Sequence, residues 1–276
     1  MKFFDSHAHL DDEKFNEDRE HLIKEIKESG IDKFISAGYS LEGSKRGIEL
    51  ANKYDFIYTT SGISPNDIPQ TEEELWITLE KIEKMAKENK KVLAIGEIGL
   101  DYYWEKEERM KELQKIAFIE QIKIANKLNL PIVIHTREAV MDTIKILKEN
   151  PVKNKGIFHC CPLNRELVKE ALKLGFYISF AGPITFKNSK NANEIIEMVP
   201  NDKILIETDS PYLAPEPVRG TRNNPINVKY IAQKIADVKK LSLEEIAGIT
   251  YENAERIFNL KWFCDFGVGD KKYVQI

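Results

Sequence analysis

His7 and His9 stand two residues apart near the start of the chain, in the run DSHAHLDD. On an extended backbone alternate side chains leave the same face, so both rings project together. Two neutral imidazole nitrogens at that spacing can hold one divalent cation; the plainer role is a pair of hydrogen-bonding histidines at a strand end. Glu97 in VLAIGEIGLDYYW, His135 in PIVIHTRE, His159 in GIFHCC and Asp209 in KILIETDSPYL repeat the pattern, each a polar group at the end of a short apolar run. Singly, each also has an ordinary structural role open to it: a capping aspartate, a salt-bridged glutamate, a core histidine. Yet four of the five histidines in the chain fall at such positions, and only His21 sits within an amphipathic segment, as a surface residue.

Such residues need a scaffold that brings distant strand ends together. Mostly apolar runs occur at residues 2–5, 33–37, 56–61, 92–96, 132–134, 156–158, 176–180 and 204–206. They do not alternate, which fits parallel strands covered on both faces. Amphipathic segments separate them. EDREHLIKEIKESG ends in Gly30, a helix stop. TEEELWITLEKIEKMAKENK opens on Thr71 as N-cap with an acidic first turn. EERMKELQKIAFIEQIKIANKLNLP stops before Pro131, whose ring opposes a continuing helix. Strands alternating with helices predict either an α/β barrel or an open doubly wound sheet, as one domain over residues 1–260. Residues 261–276, with Trp262, Phe263 and Cys264, stand apart as a C-terminal extension of unassigned role. A closed barrel gathers the C-terminal strand ends at one mouth, so the six polar groups would surround a small volume. That suffices for two divalent ions sharing a bridging carboxylate, an arrangement that activates water and stabilises the attacking and leaving oxygens of phosphoester hydrolysis.

Bulk properties narrow the class. The 276 residues fit a single barrel of roughly 250 residues. A net charge of −4 gives no global basic character, so a nucleic-acid partner would need a local basic patch or bound cations. Three cysteines, Cys160, Cys161 and Cys264, form neither a disulfide framework nor a thiolate zinc site, and reduced thiols in the cytoplasm are expected. No signal peptide or membrane span is visible, so no membrane partner is expected.

The segments DSHAHLDD, GEIGLDY, IHTR, FHC, FAGPITFKN, ETDSPYLAP and VRGTRNNP occur in the order and spacing of the TatD family of metal-dependent deoxyribonucleases, amidohydrolase-type barrels. The resemblance runs from about Phe3 to the helix around residues 253–258. It implies a (β/α)₈ TIM barrel, two divalent metal ions (magnesium, manganese or zinc), and cleavage of DNA phosphodiester bonds at ends or in single strands. By position it implies one metal on His7, His9, Glu97 and Asp209, and a second on Glu97, His135 and His159, with Glu97 bridging. Asp209 would also take the proton of the attacking water. The resemblance departs at Ser64, in SGISPND, where the family pattern carries a histidine facing the substrate phosphate. A serine donates a hydrogen bond there but carries no charge.

Ser64, Arg137, Lys187 and Arg219 are candidate substrate contacts, the cationic ones suited to phosphate or equally to ordinary surface pairing. Tyr102, Tyr103 and Trp104 could stack on unpaired bases, although packing over the barrel top is the simpler expectation. Cys160 and Cys161 are expected as core or supporting residues. Two other readings keep the same residues: a metal-dependent amide or ester hydrolase of small molecules, and a metal-binding protein without catalysis, whose sole support is Ser64. The sequence leaves the oligomeric state open, a monomer being sufficient.

Overall fold

The computed structural model describes residues 1–260; the expected extension at 261–276 lies outside the described residues. Eight strands form one sheet in sequential order: β1 (Phe3–Ala8), β2 (Ile31–Ser36), β3 (Ile57–Ser61), β4 (Val92–Asp101), β5 (Ile132–Arg137), β6 (Gly156–Phe158), β7 (Tyr177–Phe180) and β8 (Ile204–Ile206). Every neighbouring pair is parallel. Helices intervene, α1 (Arg19–Glu28), α2 (Leu41–Lys53), α3 (Glu72–Glu88), α4 (Glu108–Leu128), α5 (Val140–Glu149), α6 (Arg165–Lys173) and α7 (Ala192–Met198), and α8 (Val228–Lys239) and α9 (Leu243–Ile257) follow β8. Of the two expected topologies, the sheet adopts the barrel.

The local signals act as their chemistry predicts. The Thr71 hydroxyl accepts from the Glu74 amide at 3.2 Å and opens α3 on three glutamates. Helix α4 ends on Asn129 in the left-handed region (φ 57°), ahead of Pro131. Helix α9 starts from a reciprocal cap: Ser242 Oγ accepts from the Glu245 amide, and the Glu245 carboxylate accepts from the Ser242 amide.

Two apolar regions hold the barrel. One lies between strands and helices, where residues such as Phe34, Ile95, Ile134 and Phe180 pack outward against Ile26, Leu75, Phe118 and Ile231. The other fills the barrel at its N-terminal end. There Phe4, Ile35, Leu93, Val133, Ile157 and Leu205 meet Ile257, Phe258 and Leu260 from the end of α9, and Phe258 stacks on Phe4 at 5.8 Å. At roughly 1.5–3 kcal/mol per buried large apolar side chain, this plug closes one end firmly. The opposite end is left to polar side chains.

The β8–β1 seam is sealed with polar groups. The Asp209 amide donates to His7 O (2.9 Å) and the His9 amide to Ser210 O (2.7 Å). Buried Asp5 accepts from the Thr208 amide at 3.0 Å and the Thr208 hydroxyl at 2.6 Å, while Ser6 Oγ donates to Ile206 O. The first and last strands are thus locked at the level of the polar cluster.

Three strands run further than the apolar runs predicted. β1 continues through His7, β5 through His135, and β4 through Glu97 to Asp101, so Glu97 lies inside its strand and not at its end. All ten residues of β4 are buried, and Glu97 is accommodated there because its carboxylate faces imidazoles and not apolar atoms.

Candidate metal centre

The polar cluster is built from five strands. His7 lies on β1 and His9 just beyond it; Glu97 comes from β4, His135 from β5, His159 from the residue after β6, and Asp209 from the loop after β8. Asp209 has φ 54°, a left-handed conformation that a short polar side chain tolerates. His7 Nε2 and His9 Nε2 are 3.2 Å apart, and His135 Nδ1 is 3.2 Å from His159 Nε2. The His7 and His159 rings stack at 4.0 Å.

Glu97 divides its two oxygens between these pairs. Oε2 lies 3.4 Å from His7 Nε2 and 3.7 Å from His9 Nε2; Oε1 lies 3.1 Å from His135 Nδ1 and 3.4 Å from His159 Nε2. Asp209 Oδ1 is 3.3 Å from His9 Nε2 and 3.6 Å from His7 Nε2. Three overlapping triads have metal-ligand spacing: His7, His9 and Glu97; His7, His159 and Asp209; and Glu97, His135 and His159. The middle one pairs His159 with Asp209, a combination absent from the expected sets.

Burial sharpens the electrostatics. Burial by itself would raise Glu97, but the surrounding imidazoles of His159, His135 and His7 hold its carboxyl well below the usual range. Burial pulls His9 down, and the Asp209, Glu97 and Asp11 carboxylates outweigh it, pushing the ring up to about 9. His135 and His159 are likewise raised against burial, by Asp101 and Glu97 and by Glu97 and Glu207 respectively. His7 is lowered by its burial and by the neighbouring His159. A tight cluster of lone-pair donors, with imidazole nitrogens confronting each other at 3.2 Å, fits divalent cations, and the absence of thiolates among those donors favours no structural-zinc arrangement.

The cluster floors a cavity of about 970 Å³ whose walls include Asn66, Trp104, Arg137, Cys160, Leu163, Pro183, Tyr212 and Leu213. A side recess of about 250 Å³ is lined by Asp12, Tyr39, Ser64, Asn66, Asp67 and Tyr212. Of the candidate substrate contacts, Ser64 and Arg137 reach these spaces; Lys187 and Arg219 are not among the lining residues, and Arg219 rests on the Phe186 ring at 4.0 Å. The Ser64 hydroxyl is already engaged, donating to Asp67 Oδ2 at 2.8 Å and accepting from the Asn66 amide. The Arg137 guanidinium stacks on Tyr103 at 3.7 Å. Trp104 is 67% exposed and lines the cavity, whereas the Tyr102 hydroxyl donates to Asp142 away from it. Cys161 is buried and Cys160 half-buried, and both line the cavity. His21 is a surface residue beside Glu25.

Four buried carboxylates went unsingled in the sequence. Asp101 accepts from His135 Nε2 at 3.0 Å, Glu207 Oε1 lies 3.3 Å from His159 Nδ1, Asp5 locks the seam, and Asp11 pairs with Arg46 at 3.2 Å. Each lies within a few residues of a candidate ligand in the same motif, which was the available signal.

Among the described residues, no helix is long and apolar enough to cross a membrane. The profile of the TatD related DNase family matches residues 4–259. The uncharacterized metal-dependent hydrolase YabD of Bacillus subtilis is 45% identical over 260 residues, covering 93% of this chain and 99% of that one. The uncharacterized metal-dependent hydrolase YcfH of Escherichia coli K12 is 35% identical over 264 residues, covering 94% and 97%. The crystal structure of YJJV, a TatD homolog of Escherichia coli K12, superposes with a TM-score of 0.86 at 26% identity, covering 93% and 98%. A phosphotriesterase homology protein of the same species shares the fold at a TM-score of 0.71 and 14% identity. With its family profile spanning nearly the whole chain and relatives well above 30% identity, the protein belongs to the TatD related DNase family and is a metal-dependent hydrolase.

Proposed function

We propose that the protein is a deoxyribonuclease that hydrolyses DNA phosphodiester bonds with two divalent ions held by His7, His9, Glu97, His135, His159 and Asp209. The observation that carries this reading is Glu97, whose two oxygens each face a different histidine pair, the arrangement of a bridging carboxylate. When bound, such ions supply Lewis acidity and activate water. Asp209, in the loop after β8, lines the cavity beside His9 and His7, where its carboxylate can take the proton of the attacking water. The stacked Arg137 offers a fixed guanidinium to a phosphate. Exposed Trp104 offers a ring face to an unpaired base, consistent with ends or single strands as the substrate. A cavity of about 970 Å³ is at the upper end of small-ligand pockets and admits a nucleotide.

The test is purified protein with magnesium, manganese or zinc on single-stranded and duplex DNA, beside a panel of esters and amides. DNA cleavage that falls by at least a thousandfold in Asp209→Ala (roughly the loss of a proton acceptor that also binds metal) is the expected result. Hydrolysis confined to the small-molecule panel would replace this reading with the amide or ester hydrolase. A metal-loaded protein inert on every substrate would leave only metal binding.

A further inference from the structure

We propose that Asp101 is a positioning residue of the metal centre: its carboxylate holds His135 as the Nε2–H tautomer, turning the Nδ1 lone pair toward Glu97 and His159. The inference rests on the reading of His135 as a metal ligand.

A neutral imidazole has one donor and one acceptor nitrogen, and a carboxylate only accepts. His135 Nε2 lies 3.0 Å from Asp101 Oδ2, so the ring proton belongs on Nε2. With a cation in place of any proton on Nδ1, that nitrogen is the lone-pair donor, 3.1 Å from Glu97 Oε1 and 3.2 Å from His159 Nε2. Glu97 and Asp101 lie four residues apart on β4, and their carboxylates hold the two nitrogens of one ring from opposite sides. The other candidate ligands are served differently. His7 Nδ1 and His9 Nδ1 have no hydrogen-bond partner among the described residues, and Glu207 approaches His159 Nδ1 at 3.3 Å without hydrogen-bond geometry.

Asp101 is itself fixed. Its Oδ1 accepts from the amides of Tyr103 (2.9 Å) and Trp104 (3.1 Å), and its own amide donates to Gln114 Oε1 at 3.0 Å. Gln114 in turn donates to Pro65 O at 3.0 Å. This bonding dictates what an amide would do in the same place. Two backbone N–H groups require an oxygen at the Oδ1 position, so the NH₂ of D101N must face His135 Nε2. An NH₂ donates there, which moves the imidazole proton to Nδ1 and blocks that nitrogen as a ligand. D101N is nearly isosteric and keeps the Tyr103 and Trp104 amide contacts, giving up only the acceptance from Asn66 Nδ2 at 3.4 Å, yet inverts the tautomer.

The experiment titrates metal-free wild type and D101N with cobalt(II), followed by visible absorption, and records imidazole ¹H–¹⁵N correlations of both proteins with zinc. Only five histidines contribute to those spectra. The expected result is a far-ultraviolet circular dichroism spectrum like that of wild type and a 10–100-fold weaker cobalt affinity at one site, the usual worth of an outer partner to a ligand histidine. The His135 proton should be on Nε2 in wild type and on Nδ1 in D101N. Unchanged cobalt affinity in D101N beside a wild type that loads normally would overturn the role of Asp101 alone. A wild-type His135 carrying its proton on Nδ1 would do the same without any variant, should D101N fail to fold. A wild type that takes up no cobalt would overturn the metal-site reading and this inference with it.

Discussion

Ser64 sits where the family pattern carries a histidine, and its hydroxyl is spent on Asp67 and on the Asn66 amide. It therefore has little left to offer a phosphate, while lining the recess beside Glu97. Ser64→His would put a chargeable imidazole at that wall next to Asp67, a carboxylate able to keep it protonated. Metal content should stay unchanged, and kcat/KM on a phosphodiester should rise about tenfold, the value of one charge-assisted hydrogen bond of roughly 1.5 kcal/mol. A fall in kcat/KM with the metals in place would sink the idea. The six candidate ligands were legible because histidines and carboxylates at the ends of apolar runs are uncommon in that number. Asp101 was not, because its role depends on a ring 34 residues away, and its place in the Glu97 motif suits an ordinary capping aspartate equally well.

Strand β4 delivers both Glu97 and Asp101, and its course depends on Gly99. That residue has φ 136°, and a Cβ placed on it would lie 2.0 Å from His135 O, across the register Gly99↔His135. Neither strain nor clash can be relieved by a side-chain rotation, since the obstacle is backbone. Gly99→Ala should cost on the order of 2–4 kcal/mol, lowering Tm by roughly 5–10 °C. It should also reduce bound metal, because β4 and β5 separate where Glu97 meets His135. A Tm within ~1 °C of wild type and full metal content would show that the two strands are not so tightly joined. The eight strands were readable from apolar runs, but their lengths were not. A charged residue such as Glu97 looks like a terminus until its partners, supplied by other strands, are in view.

Barrel closure was the choice that the alternation of strands and helices left open and that only the family resemblance implied, since it depends on contacts between Asp5 and Thr208, about 200 residues apart in the chain. Once closed, the barrel divides into an apolar end plugged by Phe258 and Leu260 and a polar end holding the candidate ligands, and every strand contributes to one or both. We take residues 1–260 as one cooperative unit on that ground, so heat should unfold the protein in a single transition. Metal removal should then lower that transition without abolishing the fold. In the metal-free cluster the imidazoles and carboxylates pair with each other, Glu97 with four rings and Asp209 with two, so no buried charge is stranded. What is lost is the binding free energy, about 2.7 kcal/mol for an ion at a hundred times its Kd, or roughly 5–10 °C in Tm. Scanning calorimetry before and after chelation, with zinc added back, measures it. Two separate transitions would end the single-unit proposal, and a Tm indifferent to chelation and to zinc would mean that the polar end is held by its own ion pairs alone.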